Sequence, residues 1–90
     1  MFEPISVRAY IYLYVANNPS EKKQEVEERI RETLSVALSG KKCSCGNPIW
    51  VVGGADAGHY CFTCITGETI PKDDYEIDEH LNYLKAQSNT

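Results

Sequence analysis

The first hydrophobic stretch of the chain, residues 5–16, fits two secondary structures. As a strand, it has aliphatic residues that alternate with polar residues and three tyrosines, which gives it two distinct faces. As a helix, it has Pro4 in its first turn and ends at Asn17-Asn18-Pro19. Its apolar residues then surround the helix almost entirely, which requires burial on most sides. Because twelve residues are many for one strand in so short a chain, we favour the helix.

The next segment has the clearest helical pattern. Asn18 can cap a helix that has Pro19 at its first position and Glu21 at its third, and Gly40 is a natural stop. Between them, apolar residues recur at helical spacing and predict one buried stripe: Val26, Ile30, Thr33, Leu34, Ala37 and Leu38. Glu and Arg fill most other positions, and we expect that face to be solvated.

A shorter helical pattern lies near the end of the chain. Asp73 and Glu76 have the spacing of a capping box. The apolar residues that follow recur at i, i+4 and i+7: Ile77, Leu81 and Leu84. The sequence therefore predicts a C-terminal helix, with residues 87–90 as a frayed tail.

All four cysteines lie between these helices, in the pattern C-x-C-x15-C-x2-C: Cys43, Cys45, Cys61 and Cys64. Residues 47–52 have the composition of a strand, and residues 53–58 are rich in turn-forming residues, so the spacer predicts a β-hairpin. Such a hairpin brings the two pairs together, and Zn²⁺ binds four thiolates tetrahedrally. Gly46 suits a turn with positive φ that aims backbone N–H groups at sulfur.

Residues 43–67 resemble a zinc ribbon, a family of small β modules in which two cysteine turns clamp one zinc ion. The first turn, from Cys43 to Gly46, is one residue shorter than the family's usual C-x-x-C-G turn. The resemblance implies one structural zinc ion per chain. It implies no specific biological role, because the same module serves many functions.

Three alternatives to a zinc site made of four cysteines stay open. His59 could replace one thiolate, because imidazole also binds zinc. The rubredoxin family binds iron through four thiolates, although with a longer spacing and two C-x-x-C-G turns. Cys61 and Cys64 could form a redox dithiol, but thioredoxin-like motifs precede a helix, and residues 65–68 do not predict one.

Length and composition indicate one small soluble domain of 90 residues, with 42% hydrophobic and 24% charged residues. We expect an α+β fold with a helical N-terminal part (1–40), a zinc ribbon (41–70) and a C-terminal helix with its tail (71–90). A core of this size is marginal, so a metal site would matter for stability.

The chain has the features of a cytoplasmic protein. Residues 5–16 are too short to span a bilayer and lack the flanking features of a secretory signal. In the cytoplasm thiols stay reduced, which favours a metal site over disulfides.

The net charge of −4 weighs against non-specific binding to nucleic acid. A nucleic-acid-binding ribbon stays as an alternative, and it would act through Lys41, Lys42, Trp50, Tyr60 and Phe62. We favour packing roles for these aromatic residues, because no basic residues are interleaved with them.

Catalysis has little support in the sequence. It contains no phosphate-binding loop and no recognisable Ser/His/Asp set, and four thiolates leave a zinc ion no open position. His80, beside Glu79 and near Glu76, is expected to be solvated. We therefore predict a non-catalytic module that binds another protein through the ribbon or the tyrosine-bearing first segment. We also predict a homodimer formed through residues 5–16.

Overall fold

The computed structural model describes residues 1–88, which fold into five helices and two short strands. In chain order these are β1 (Glu3–Ile5), α1 (Val7–Asn17), α2 (Lys23–Leu38), α3 (Val51–Ala57), α4 (Phe62–Thr66), β2 (Tyr75–Ile77) and α5 (Asp78–Ser88). The two strands pair in parallel, with Ile5 opposite Ile77, so they join the beginning of the chain to its C-terminal part. The combination of helices with a small sheet agrees with the predicted α+β class.

Helix α1 confirms the helical interpretation of the first hydrophobic stretch. It begins after Ser6, whose hydroxyl accepts a hydrogen bond of 3.0 Å from the Ala9 N–H. Pro4 is not in its first turn but in β1. The helix ends at Asn17, as the sequence indicates.

Helix α2 presents the predicted stripe, because all of its members except Leu38 are buried. Its predicted start is wrong by four residues. The segment before it forms a turn in which the Glu21 N–H donates to the Asn18 carbonyl at 2.9 Å, and the helix begins at Lys23. It ends just before Gly40, whose φ is +92°.

The hydrophobic core joins α1 and α2 to the middle of the chain. Ile30 of α2, Val51 of α3 and Ile77 of β2 are completely buried, and Ile49 is nearly so. The beginning of the segment between the cysteine pairs thus packs directly on the N-terminal helices.

The hairpin predicted between the cysteine pairs is wrong, because Val51–Ala57 form helix α3. The chain turns back at Gly58, where φ is +104°. The Trp50 N–H then donates to the Tyr60 carbonyl at 3.1 Å and closes the loop that contains α3. The ends of the spacer therefore still meet, although a helix rather than two strands connects them.

Two contacts that are distant in sequence explain why this glycine-containing segment is helical. The Glu76 carboxylate accepts hydrogen bonds from the first N–H groups of α3. Gly54 allows α3 to approach α2 closely, since a Cβ at this position would lie 3.2 Å from Cγ2 of Thr33. Neither contact can be seen in the local pattern.

The predicted capping box at residues 73–76 is also wrong. Tyr75–Ile77 form strand β2, and helix α5 begins only at Asp78. Within the predicted tail, Gln87 and Ser88 lie in α5. Residues 89–90 lie outside the described residues.

Candidate metal centre

The fold brings together the side chains of all four cysteines: Cys43, Cys45, Cys61 and Cys64. Their sulfur atoms lie within 4.8 Å of one another. The Cys43 and Cys64 sulfurs are 3.7 Å apart, and those of Cys45 and Cys61 are 3.3 Å apart. All four are free thiols rather than disulfides. The cluster could hold a metal ion.

The first pair lies on a tight turn that follows α2. The Cys43 N–H donates to the Asn47 carbonyl at 2.9 Å, and the Gly46 N–H donates to the Cys43 carbonyl at the same distance. Gly46 has a φ of +95°, which confirms the reason given for a glycine directly after Cys45. The turn places both sulfurs on one side although the motif is only C-x-C.

The second pair is held by the short helix α4. The Cys61 sulfur caps this helix and accepts a hydrogen bond from the Cys64 N–H at 3.4 Å. Gly67, with φ of +80°, ends the helix. The expectation that residues 65–68 are not helical is therefore wrong for residues 65–66, which form the end of the five-residue helix α4, and correct for residues 67–68.

The electrostatics of the cluster favour a bound cation. The backbone N–H groups of Cys45 and Cys61 lower the pKa of Cys43 to about 6. Burial opposes ionisation of Cys61, but the Cys64 N–H and neighbouring thiols still bring its pKa below the usual value. The thiols of Cys61, Cys43 and Cys45 raise the pKa of Cys64 to about 12. The lowered pKa values of Cys43 and Cys61 favour their thiolates, whereas the raised pKa of Cys64 opposes ionisation. A positive ion would relieve the repulsion among four thiolates.

Two of the sulfur–sulfur separations are close to those around a tetrahedral ion. With metal–sulfur bonds of about 2.3 Å, the edge of the tetrahedron is about 3.8 Å. The two sulfur–sulfur separations of 3.3 and 3.7 Å are close to that edge. Within residues 1–88 the cluster consists of the four cysteines and does not include His59.

Aromatic rings pack beside the second cysteine pair. The centroid of the Phe62 ring lies 4.9 Å from that of Trp50 and 5.4 Å from that of Phe2. Phe62 is buried and Trp50 is half-buried, so the predicted packing role is confirmed for these two residues. Tyr60 is instead exposed. No pattern in the sequence indicates that Phe2 belongs to this group.

A buried hydrogen-bonded carboxyl group, which sequence reasoning missed, anchors the loop between the cysteine pairs. The Glu76 carboxylate accepts hydrogen bonds from the N–H groups of Val51 (2.9 Å), Val52 (3.2 Å) and Ile77 (2.9 Å). It also lies 2.9 Å from Nδ1 of His80, and both side chains are buried. The prediction that His80 is solvated is therefore wrong. The i, i+4 spacing of Glu76 and His80 was the available signal, but it does not by itself indicate burial.

No protein-family model, curated protein or solved structure matches this chain. Across residues 1–88, no helix has both the length and the apolar character that a membrane span requires. The function must therefore be inferred from the chain's own residues.

Proposed function

We propose that this protein is a non-catalytic binding module with one structural zinc ion per chain, held by the four cysteine thiolates, and that it recognises another protein. The observation that carries this proposal is the convergence of four free thiols, whose sulfur atoms lie within 4.8 Å of one another.

A structural role suits this donor set. Four thiolates complete the tetrahedral shell of zinc, so no position is left for a substrate or an activated water. Two of the ligands, Cys43 and Cys61, are buried in a region that buries few other side chains. Metal binding contributes on the order of 10 kcal/mol to the folding of small zinc modules, which is enough to order such a region.

Zinc is favoured over iron because closed sites of four cysteines are typical of structural zinc. A rubredoxin-like iron centre would use the same four sulfurs, and its own family has two C-x-x-C-G turns. Here the first motif is C-S-C-G and the second is C-F-T-C-I. A reduced, cytoplasmic environment, which we also propose, would keep the thiols available for metal.

A protein partner suits the surface better than nucleic acid does. Stacking on bases requires accessible rings, and Phe62 is buried while Trp50 packs against it and Phe2. The net charge of −4 also opposes attraction to phosphates.

The test is metal analysis by mass spectrometry of protein purified without added metal. We expect one zinc ion per chain, and we expect Cys61→Ser to reduce the zinc content severalfold. Ser44→Ala is the matched control, because this residue lies between the first two ligands, is exposed, and leaves all four thiols in place.

If the protein contains iron, the assignment of zinc is wrong. Such a protein would be coloured and reducible. Absence of any metal, or unchanged metal content in Cys61→Ser, would reject the site itself.

A further inference from the structure

An apolar groove lies on the side of the molecule formed by α1, the start of α3 and residues 73–75. Its volume is about 360 Å³. Asn17 and Asn18 line it, together with seven apolar or aromatic side chains: Ile5, Tyr10, Leu13, Tyr14, Trp50, Val52 and Tyr75. We call it the α1–β2 groove. The four cysteines do not line it.

Two of the large side chains that line the groove are exposed, Leu13 at 42% and Tyr75 at 45%, and the buried Ile5 and Tyr10 line the same groove. Covering them would remove further apolar surface from water. The groove volume lies in the range of sites that enclose a small ligand or a few side chains.

The charge of the groove is of one sign. Asp73 and Asp74, which we call the acidic rim, are its charged lining residues within residues 1–88 and are adjacent in the chain. The Asp74 carboxylate accepts a hydrogen bond of 3.0 Å from the Lys72 N–H, which fixes its orientation. Asp73 is exposed and has φ of +55°. An occupant that complements this surface must carry positive charge beside an apolar group.

We propose that the α1–β2 groove binds a peptide segment of another protein in which an aliphatic or aromatic side chain stands next to Lys or Arg. The apolar side chain fills the groove beside Leu13 and Tyr75, and the cation pairs with Asp73 and Asp74. This inference rests on the protein-binding role proposed above and assigns that role a surface and a partner chemistry.

Charge distinguishes this occupant from two others. Nucleic acid phosphates would be repelled by the two aspartates. The homodimer expected through residues 5–16 would place a second copy on this groove. If the two copies docked groove to groove about a two-fold axis, the same acidic rims would come close together, since such an interface uses one patch on both subunits.

The experiment selects peptides from a phage-displayed library of random sequences on immobilised, zinc-loaded protein. We expect the enriched sequences to combine an apolar residue with an adjacent Lys or Arg. The most enriched peptide, once synthesised, should bind Leu13→Asp at least about tenfold more weakly than the parent protein, because a central apolar contact is lost. Leu38→Asp is the matched control, since Leu38 is an exposed leucine on α2 outside the groove, and it should leave the affinity unchanged.

A second variant tests the rim without disturbing the backbone. Asp73→Asn removes the charge and keeps a residue type that tolerates positive φ. We expect roughly threefold weaker binding at low salt and a smaller dependence on salt concentration. Glu32→Gln, on the exposed face of α2, is its control and should change neither.

Several outcomes would overturn the proposal: no enrichment, enriched sequences without cations, or equal effects of the Leu13 and Leu38 variants. A dimer in sedimentation that Leu13→Asp dissociates would also overturn it, by making a second copy the occupant. Zinc content is measured on every sample. Protein that holds zinc but selects no peptide rejects the groove alone, whereas protein without metal rejects the structural zinc site independently.

Discussion

The helical core and the cysteine lobe of this molecule are stabilised in different ways. We define the cysteine lobe as residues 41–48 and 61–70. In the core, α1 and α2 bury a continuous set of aliphatic side chains, among them Ile30 with no exposed surface. In the cysteine lobe the buried residues are Cys43, Cys61 and Phe62. One region of a small protein can thus depend on the burial of apolar area, while a neighbouring region depends on four sulfur atoms.

Removal of the metal should give the largest difference in stability between the two regions. Chelation should cost the cysteine lobe about 10 kcal/mol of metal-binding free energy, which is comparable to the whole stability of a small domain. We expect backbone amides of the lobe to exchange with solvent at nearly unfolded rates, whereas α1 and α2 keep part of their protection. Hydrogen exchange measured by mass spectrometry checks this, with zinc added back as the control. Equal loss of protection in both regions would show that they unfold as one unit.

Ile30→Ala should weaken the core and spare the metal centre. The side chain is completely buried in α2, so its truncation should lower the free energy of unfolding by ~3 kcal/mol through lost burial and a residual cavity. Chemical denaturation measures the change, and the zinc content should stay the same. Leu38→Ala on the same helix, at 36% exposure, should cost less than about 0.5 kcal/mol. Loss of zinc from Ile30→Ala would contradict the separation of the two regions.

Glu76→Gln tests the anchor of α3, the helix that lies between the two cysteine pairs in the chain. The carboxylate holds two N–H groups of α3 and contacts His80 in a buried site. The amide has one acceptor oxygen and an NH₂ group that cannot accept from these donors, so we expect a loss of ~2 kcal/mol in unfolding free energy. Glu79→Gln, on the exposed side of α5, should change stability by no more than about 0.5 kcal/mol. Similar effects of both substitutions would reject a specific anchoring role for Glu76.

These contacts also explain which parts of the structure the sequence could predict. The core stripe on α2 and the four clustered cysteines follow from local spacing, and both were predicted. The strand-like composition of residues 47–52 and the glycines after it predicted a hairpin instead of α3. That segment is helical because Glu76 satisfies its first N–H groups from 24 and 25 residues away, a contact that local propensity does not contain.

The two strands could not be predicted for a related reason. Each is three residues long, which is too short for an alternating pattern, and they pair across almost the whole length of the chain. The convergence of the cysteines was predicted correctly because it depends on the spacing of the pairs and on the closure between Trp50 and Tyr60, not on the conformation between them.

Gly46→Ala is a milder test of the cysteine lobe. A side chain at φ of +95° should cost about 1 kcal/mol and weaken metal retention slightly, since this turn aims the first cysteine pair. No neighbouring atom lies within 4 Å of the added Cβ, so the effect is one of backbone conformation rather than of space. Gly46→Asn should recover part of the loss, because Asn tolerates positive φ better than Ala. Competition with a chromogenic chelator measures retention, and equal retention by Asn and Ala would contradict this explanation.

The smallest effect is expected in the helical core and appears only at high pH. Burial raises the pKa of Tyr10 to about 12, and the Asp56 carboxylate adds to this shift. In the unfolded chain the phenol ionises near pH 10, so the stability gained from burying it neutral is complete below about pH 10. It is lost as the pH rises from about 10 to about 12, while stability at neutral pH is unaffected. In a spectrophotometric titration, the parent protein should show a phenol that titrates near pH 12, and the Tyr10→Phe variant should lack it. Loss of a phenol that titrates near pH 10 would show that Tyr10 is accessible in the folded core.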